Sequence, residues 1–197
     1  MPTTRSKPVK KAKKKTSTSS GAGAGNSQLE KFFHHSLKDI YWAEKALMKA
    51  LPKLMKKATT EELRSAIEEH IGQTEEQVSR VEEVFEIIGQ RPQAKKCEAM
   101  EGLVKEAESA LEETEDGSMT RDAAIIVSCQ KVEHYEIATY GSLVQLAHTL
   151  GYEDAAKVLE QTLEEEKETD QLLTGIAENN INWEAEQETE EEEEEDE

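Results

Sequence analysis

From Leu29 onward apolar residues recur at steps of three and four, and no stretch alternates apolar and polar residues over the length of a strand. That spacing is the period of an α-helix and predicts an all-α protein. The first helix begins near Leu29 and carries Phe32, Phe33, Leu37, Ile40, Tyr41, Leu47, Leu51 and Leu54, with Pro52 expected to kink it or end it early. The second opens at a capping box, Thr59 with Glu62 three residues on, and stops at Gly89 ahead of Pro92. Its core stripe reads Leu63, Ile67, His70, Thr74, Val78, Val81, Phe85 and Ile88. An amphipathic stretch from Cys97 to about Glu113 follows, closed by the turn Glu115-Asp116-Gly117-Ser118. A third long helix runs from about Thr120 to Leu150 with Gly151 as its C-cap. The fourth runs from Glu153 to about Glu178 and is expected to stop at Asn179-Asn180. Four long helices and one shorter one between the second and third describe two helical hairpins joined by a crossover helix.

The ends of the chain are different. Residues 1–28 pass from a lysine cluster through Ser and Thr into Gly21-Ala22-Gly23-Ala24-Gly25, with almost nothing to bury, and residues 182–197 are dominated by glutamate. Both are expected to be disordered arms around a single bundle over 29–181. Overall the chain has 24 Lys and Arg against 43 Asp and Glu, a net charge of -19. The first arm is wholly basic and the last wholly acidic, and the bundle between them is itself strongly acidic. Such a body repels nucleic acid and anionic lipid and favours cations, leaving the Lys-rich arm as the one segment suited to nucleic acid or an acidic partner. No run approaches a membrane helix, and the basic start lacks the apolar run of a secretory signal, so a cytoplasmic location is expected. Cys97 and Cys129 have no C-x-x-C spacing and read as ordinary thiols rather than a disulfide or zinc framework. A symmetric homodimer is the default for a soluble oligomer.

Acidic and imidazole side chains interrupt the apolar stripes. On the third long helix the stripe Ile125, Cys129, Val132, Glu133, Glu136, Tyr140, Leu143 and Ala147 contains two glutamates three apart, hence on one face. The fourth contributes Glu166, the first Glu44, and the second His70 and Gln73. Counted along the helices, Glu44 and Gln73 each lie about 20 Å from the first interhelical turn, and Glu136 and Glu166 about 20 Å from the second. Matched polar levels in two hairpins can close on one shared site, as in carboxylate bundles that hold two metal ions. Oxygen ligands with imidazole suit iron or manganese better than a thiophilic metal. Each residue also has a plainer reading. His70 alone fits a hydrogen-bonded core histidine, and Glu133 or Glu166 alone a boundary residue, since Glu164, Glu165, Glu166 and Glu168 leave the phase of that face open. Asp39 and Asp170 fit caps, ion-pair partners or supports of the site.

The segments LKDIYWAEKAL, EEHIGQTEEQVSRVEEVFE, KCEAMEGL, RDAAIIVSCQKVEHYEIATYGSL and TLEEEKETDQLL, in that order over roughly residues 29 to 180, resemble the YciF-type stress proteins of the ferritin-like superfamily. The resemblance implies a rubrerythrin-like bundle with extra helix between its halves, a dinuclear metal site, and a place in bacterial stress responses. Residue by residue it supports Glu44, His70, Glu133, Glu136 and Glu166 at or next to that site. Family members commonly read H-x-x-E-T on the second helix, where this chain has Gln73 before Thr74, so one metal position is expected to bind more weakly. The Glu-x-x-His pair of typical ferroxidases and rubrerythrins is also missing from the second and fourth helices. Two functions follow as expectations: a stress protein with a dinuclear iron or manganese centre suited to redox chemistry on oxygen or peroxide, or a non-catalytic structural or interaction protein acting through its basic arm.

Overall fold

The computed structural model describes residues 27–188; the expected disordered basic arm lies almost entirely outside the described residues, whereas the first part of the expected disordered acidic tail, residues 182–188, is described and ordered. Five substantial helices appear in the expected order: α1 (Gln28–Lys57), α2 (Glu61–Ile87), α3 (Glu98–Glu112), α4 (Met119–Leu150) and α5 (Glu153–Ile176). No strand occurs among the described residues. Helices α1 and α2 form one hairpin and α4 and α5 the other; α1 packs on α4 and α2 on α5, closing a ferritin-like four-helix bundle. The crossover helix α3 lies against α1 and α4. The interior is built from Phe33, Leu37 and Ile40 of α1, Leu63, Ile67 and Phe85 of α2, Met100 of α3, Ile125 and Leu143 of α4, and Leu159 and Leu173 of α5.

Several expectations shift in detail. Pro52 does not end α1, which runs on to Lys57; Pro52 falls in the last turns, where few further hydrogen bonds depend on it. Phe32, expected in the core, is 58% exposed. Its neighbour Phe33 occupies the inward position one turn from Leu37, which turns Phe32 outward. Val78 and Ile88 are only partly buried, and Gln77 and Val84 are buried on α2 instead.

The start of α2 is set from another helix. Thr60, not Thr59, is the N-cap, with its hydroxyl accepting from the Leu63 amide. The carboxylate of buried Asp122 on α4 accepts from the Thr59 amide at 2.6 Å, the Thr60 amide at 2.8 Å and the Thr60 hydroxyl at 2.7 Å, which fixes the cap one residue later. The adjacent Arg121 donates to the carbonyls of Leu111 and Thr114 at the end of α3. Two consecutive residues thus tie the crossover and the first hairpin to α4. Gly151 ends α4 at φ 81, a left-handed conformation that glycine adopts without strain.

The expected stop at Asn179-Asn180 is a change of pitch. Residues Ala177–Ile181 form a π-helical turn that leads into α6 (Asn182–Glu186). Normal spacing from buried Ile176 would bring an asparagine inward, whereas the five-residue step of a π turn delivers Ile181, which is buried. Glu188, within the expected acidic tail, then accepts from the amides of Met119 and Thr120 and caps α4. These backbone bonds hold its carboxyl below the usual range.

Candidate metal centre

Midway along the bundle, four glutamates and one histidine converge from all four long helices: Glu44 of α1, His70 of α2, Glu133 and Glu136 of α4, and Glu166 of α5. The glutamates have no exposure and His70 has 4%. One ligand-capable atom each from His70, Glu133, Glu136 and Glu166 lies within 4.8 Å of the others. Glu44 completes the group from the α1 side, beside Glu136 and hydrogen-bonded by the hydroxyl of Tyr140. The spacing along the chain explains the convergence, since Glu133 and Glu136 share one face of α4 and Tyr140 stands one turn beyond.

These side chains have almost no protein partners. Seven of the eight carboxylate oxygens of the four glutamates, and both ring nitrogens of His70, make no hydrogen bond. His70 Nε2 is 3.3 Å from Glu133 Oε1, close enough for an ion pair if the ring were charged, but without hydrogen-bond geometry. Burial lowers the His70 pKa to about 4, against a smaller upward pull from Gln73, so the ring is neutral and the contact is not an ion pair near pH 7. A neutral imidazole keeps a lone pair for a metal ion.

The carboxyls are displaced the other way. Burial first, then repulsion from Glu166, pushes Glu44 well above the usual range, partly opposed by Tyr140. Burial and the charges of Glu44, Glu166 and Glu133 do the same to Glu136. Burial with Glu166 beside it raises Glu133 likewise. Glu166 is pushed up only to about 7: burial raises it, and its contact with Glu133 lowers it. Arg80 is the nearby cation that pulls Glu44 and Glu166 down, and its guanidinium is paired with Glu165.

Gln73 does not join this cluster. It is half-buried beside His70, and its amide oxygen accepts from the Thr169 hydroxyl at 3.3 Å. The ambiguous acidic run on α5 resolves: Glu166 points inward, Glu165 meets Arg80, and Glu164 and Glu168 face solvent. Asp39 accepts from Tyr135 at 2.9 Å, and Asp170 accepts from Gln130 and stands 3.3 Å from His134, both outside the cluster. The residues that sequence reasoning missed are Tyr140, read only as core, together with Gln77 and Arg80. Gln77, seven residues after His70 and so two turns along the same face of α2, donates to Glu165 at 3.2 Å.

The donor set fits a metal. Four carboxylates and one imidazole form a hard oxygen and nitrogen set of the kind iron and manganese prefer. An unpaired buried polar atom costs about 1–3 kcal/mol, more when charged, and here many such atoms face one another.

Residues 28–186 match a family model described as "Domain of unknown function (DUF892)". The chain is 48% identical to Protein YciF of Escherichia coli over 159 residues, which is 80% of this chain and 95% of that protein. The crystal structure of the Escherichia coli stress protein YciF covers 80% of this chain and is itself covered over 99% of its length, at 46% identity and a TM-score of 0.75. YcfI of Rhodopseudomonas palustris is similar at 40% identity and a TM-score of 0.73, over 75% of this chain and 94% of that one.

Proposed function

The chain belongs to the DUF892 family and is a YciF-type protein, and from that premise we propose that its bundle core holds a pair of iron or manganese ions. Glu44, His70, Glu133, Glu136 and Glu166 would hold them. The observation that carries this reading is the convergence of four unexposed carboxylates and a neutral imidazole whose donor atoms lack protein partners. Groups of this kind are almost never buried unless paired or bound to metal. The charge balance agrees, since four ionised carboxylates match two divalent cations.

Bound in such a set, the ions supply reducing electrons for redox chemistry on oxygen or peroxide. The chain's own contribution is to strip water from the site, to keep His70 neutral, and to release the protons that the raised glutamates carry when metal is absent. Tyr140 orients Glu44 through its hydrogen bond. Because YciF is described as a stress protein, the same setting is inferred for this chain.

The test is elemental analysis of protein purified without chelator, with melting curves after Fe(II) or Mn(II) is restored. Only the folded state assembles ligands from four helices, so metal at about a hundred times its dissociation constant adds about 2.7 kcal/mol of stability. No metal in the purified protein and no melting shift on adding either ion would end this reading.

A further inference from the structure

An apolar cavity of about 50 Å³ lies beneath α3, between α1 and α4. Leu47, Leu51, Val104, Ala107 and Val132 form its walls, and Glu133, one of the buried glutamates of the cluster, stands at its inner end. Exposed Lys53 and Glu108 flank its outer end and pair with each other at 3.2 Å. The other polar groups on its wall offer little. Ser128 donates its hydroxyl hydrogen back to the Ala124 carbonyl at 2.8 Å, and Cys129 is only a weak donor. The volume is several times the roughly 10–15 Å³ that one water-sized molecule requires. A buried water also needs two to four polar partners, and away from the Lys53–Glu108 mouth the Glu133 carboxyl is the one strong partner on this wall.

The far side of the bundle offers the opposite chemistry. Between α2 and α5 a cavity of about 190 Å³ is lined by Glu69, Gln73, Glu168 and Thr169, groups suited to water, hydrated ions or peroxide.

We propose that the cavity beneath α3 is a binding place for a small uncharged apolar molecule of the dioxygen class, held against the Glu133 side of the site. This rests on the metal-site reading and deepens it, choosing dioxygen over peroxide as the molecule that reaches the cluster from the crossover side. The crossover helix thereby acquires a role beyond linking two hairpins: it roofs an apolar pocket that the four bundle helices alone would leave open.

The test uses full-length, metal-free protein with dissolved dioxygen as the probe. Its paramagnetism speeds the NMR relaxation of nearby methyl groups. The expected result is enhanced relaxation at Leu47, Leu51 and Val132 relative to the similarly buried Ile125 and Leu173, with the enhancement lost in Ala107→Phe and in Val104→Phe. Uniform relaxation across buried methyls in the wild-type protein, or an ordered water in the cavity, overturns the proposal, and the wild-type measurement decides this even if a variant fails to fold. Separately, each folded variant should keep the wild-type melting shift on adding Mn(II). Absence of that shift in the wild type defeats the metal-site reading, while the gas measurement stands or falls without metal.

Discussion

Tyr140 donates its hydroxyl hydrogen to Glu44, joining α1 to α4 at the edge of the carboxylate cluster. Without that bond both Glu44 oxygens would be unpaired, and its pKa, already raised by burial and Glu166, would rise further because the tyrosine pulls it down. Tyr140→Phe should therefore make Glu44 hold a proton more tightly and orient it less well. Loss of such a supporting partner lowers metal affinity by about 10–100-fold. Calorimetric titration with Mn(II) at pH 7 measures this, and an unchanged affinity removes Tyr140 from the site.

Metal-free protein should become less stable as pH rises above about 6.5. A carboxyl whose folded-state pKa is raised contributes stability that is present below its ordinary value and lost as pH climbs through the folded one. Glu166 loses its share through about 7, and Glu44, Glu133 and Glu136 extend the loss upward. His70 has the opposite sign: lowered to about 4, it withdraws stability as pH falls from about 6.5 toward 4. From 6.5 to about 8 the carboxyls dominate, at about 1.4 kcal/mol per pH unit for each proton by which folded and unfolded chains differ, and the buried thiols of Cys97 and Cys129, also raised, add to the loss only above that. Denaturant unfolding at pH 6.5, 7.5 and 8.5 should decline with chelator and hold level with saturating Mn(II). A flat profile in the chelated protein contradicts the shifted carboxyls.

Gln73→Glu should raise metal affinity by about tenfold, through His70 rather than as a new ligand. The side chain already lies beside His70 and bonds Thr169, and a carboxylate behind a metal-binding histidine raises its basicity. Without metal the added negative charge lies near a crowded acidic cluster, so the melting temperature at pH 8 should fall. Opposite shifts with chelator and with Mn(II) mark a residue coupled to the site; changes below about 0.5 kcal/mol in both conditions mark an ordinary surface position.

Asp122→Ala should destabilise the fold by roughly 3 kcal/mol, because a buried carboxylate that accepts from two amides and a hydroxyl would be removed and leave those donors unpaired. Affinity for Mn(II) in the folded variant should be unchanged, since Asp122 lies outside the cluster. Urea unfolding gives the first quantity and titration the second; a loss under 1 kcal/mol would show that the cap is dispensable.

What the sequence made legible follows from the reach of each interaction. Helical period and the polar residues set into the stripes are local signals, so the five helices were readable, and Glu44, Glu136 and Glu166, placed at one level by counting along the helices, meet in the structure together with Glu133 and His70. What escaped depends on partners far along the chain. Nothing near Thr60 announces that Asp122 will fix its cap from another helix, and nothing near Asn179 reveals that Ile181 suits the core better. Gln73 shows the limit of counting height along a helix: its level was right, but height does not fix the direction in which a side chain points, and the inward one on that turn is His70. Tyr140 was visible yet silent, because a tyrosine on an apolar stripe reads as core until a carboxylate is found opposite its hydroxyl.

The residues proposed to hold metal are spread along the chain, Glu44 and His70 on the first hairpin and Glu133, Glu136 and Glu166 on the second. A ribosome adds about 5–20 residues per second, so several seconds separate the emergence of His70 from that of Glu166. During that interval the nascent first hairpin offers one carboxylate and one imidazole, too few to retain a metal ion firmly. The proposed centre can be completed only after α5 folds back on α2, so a nascent chain that has not yet released α5 would not compete for iron or manganese.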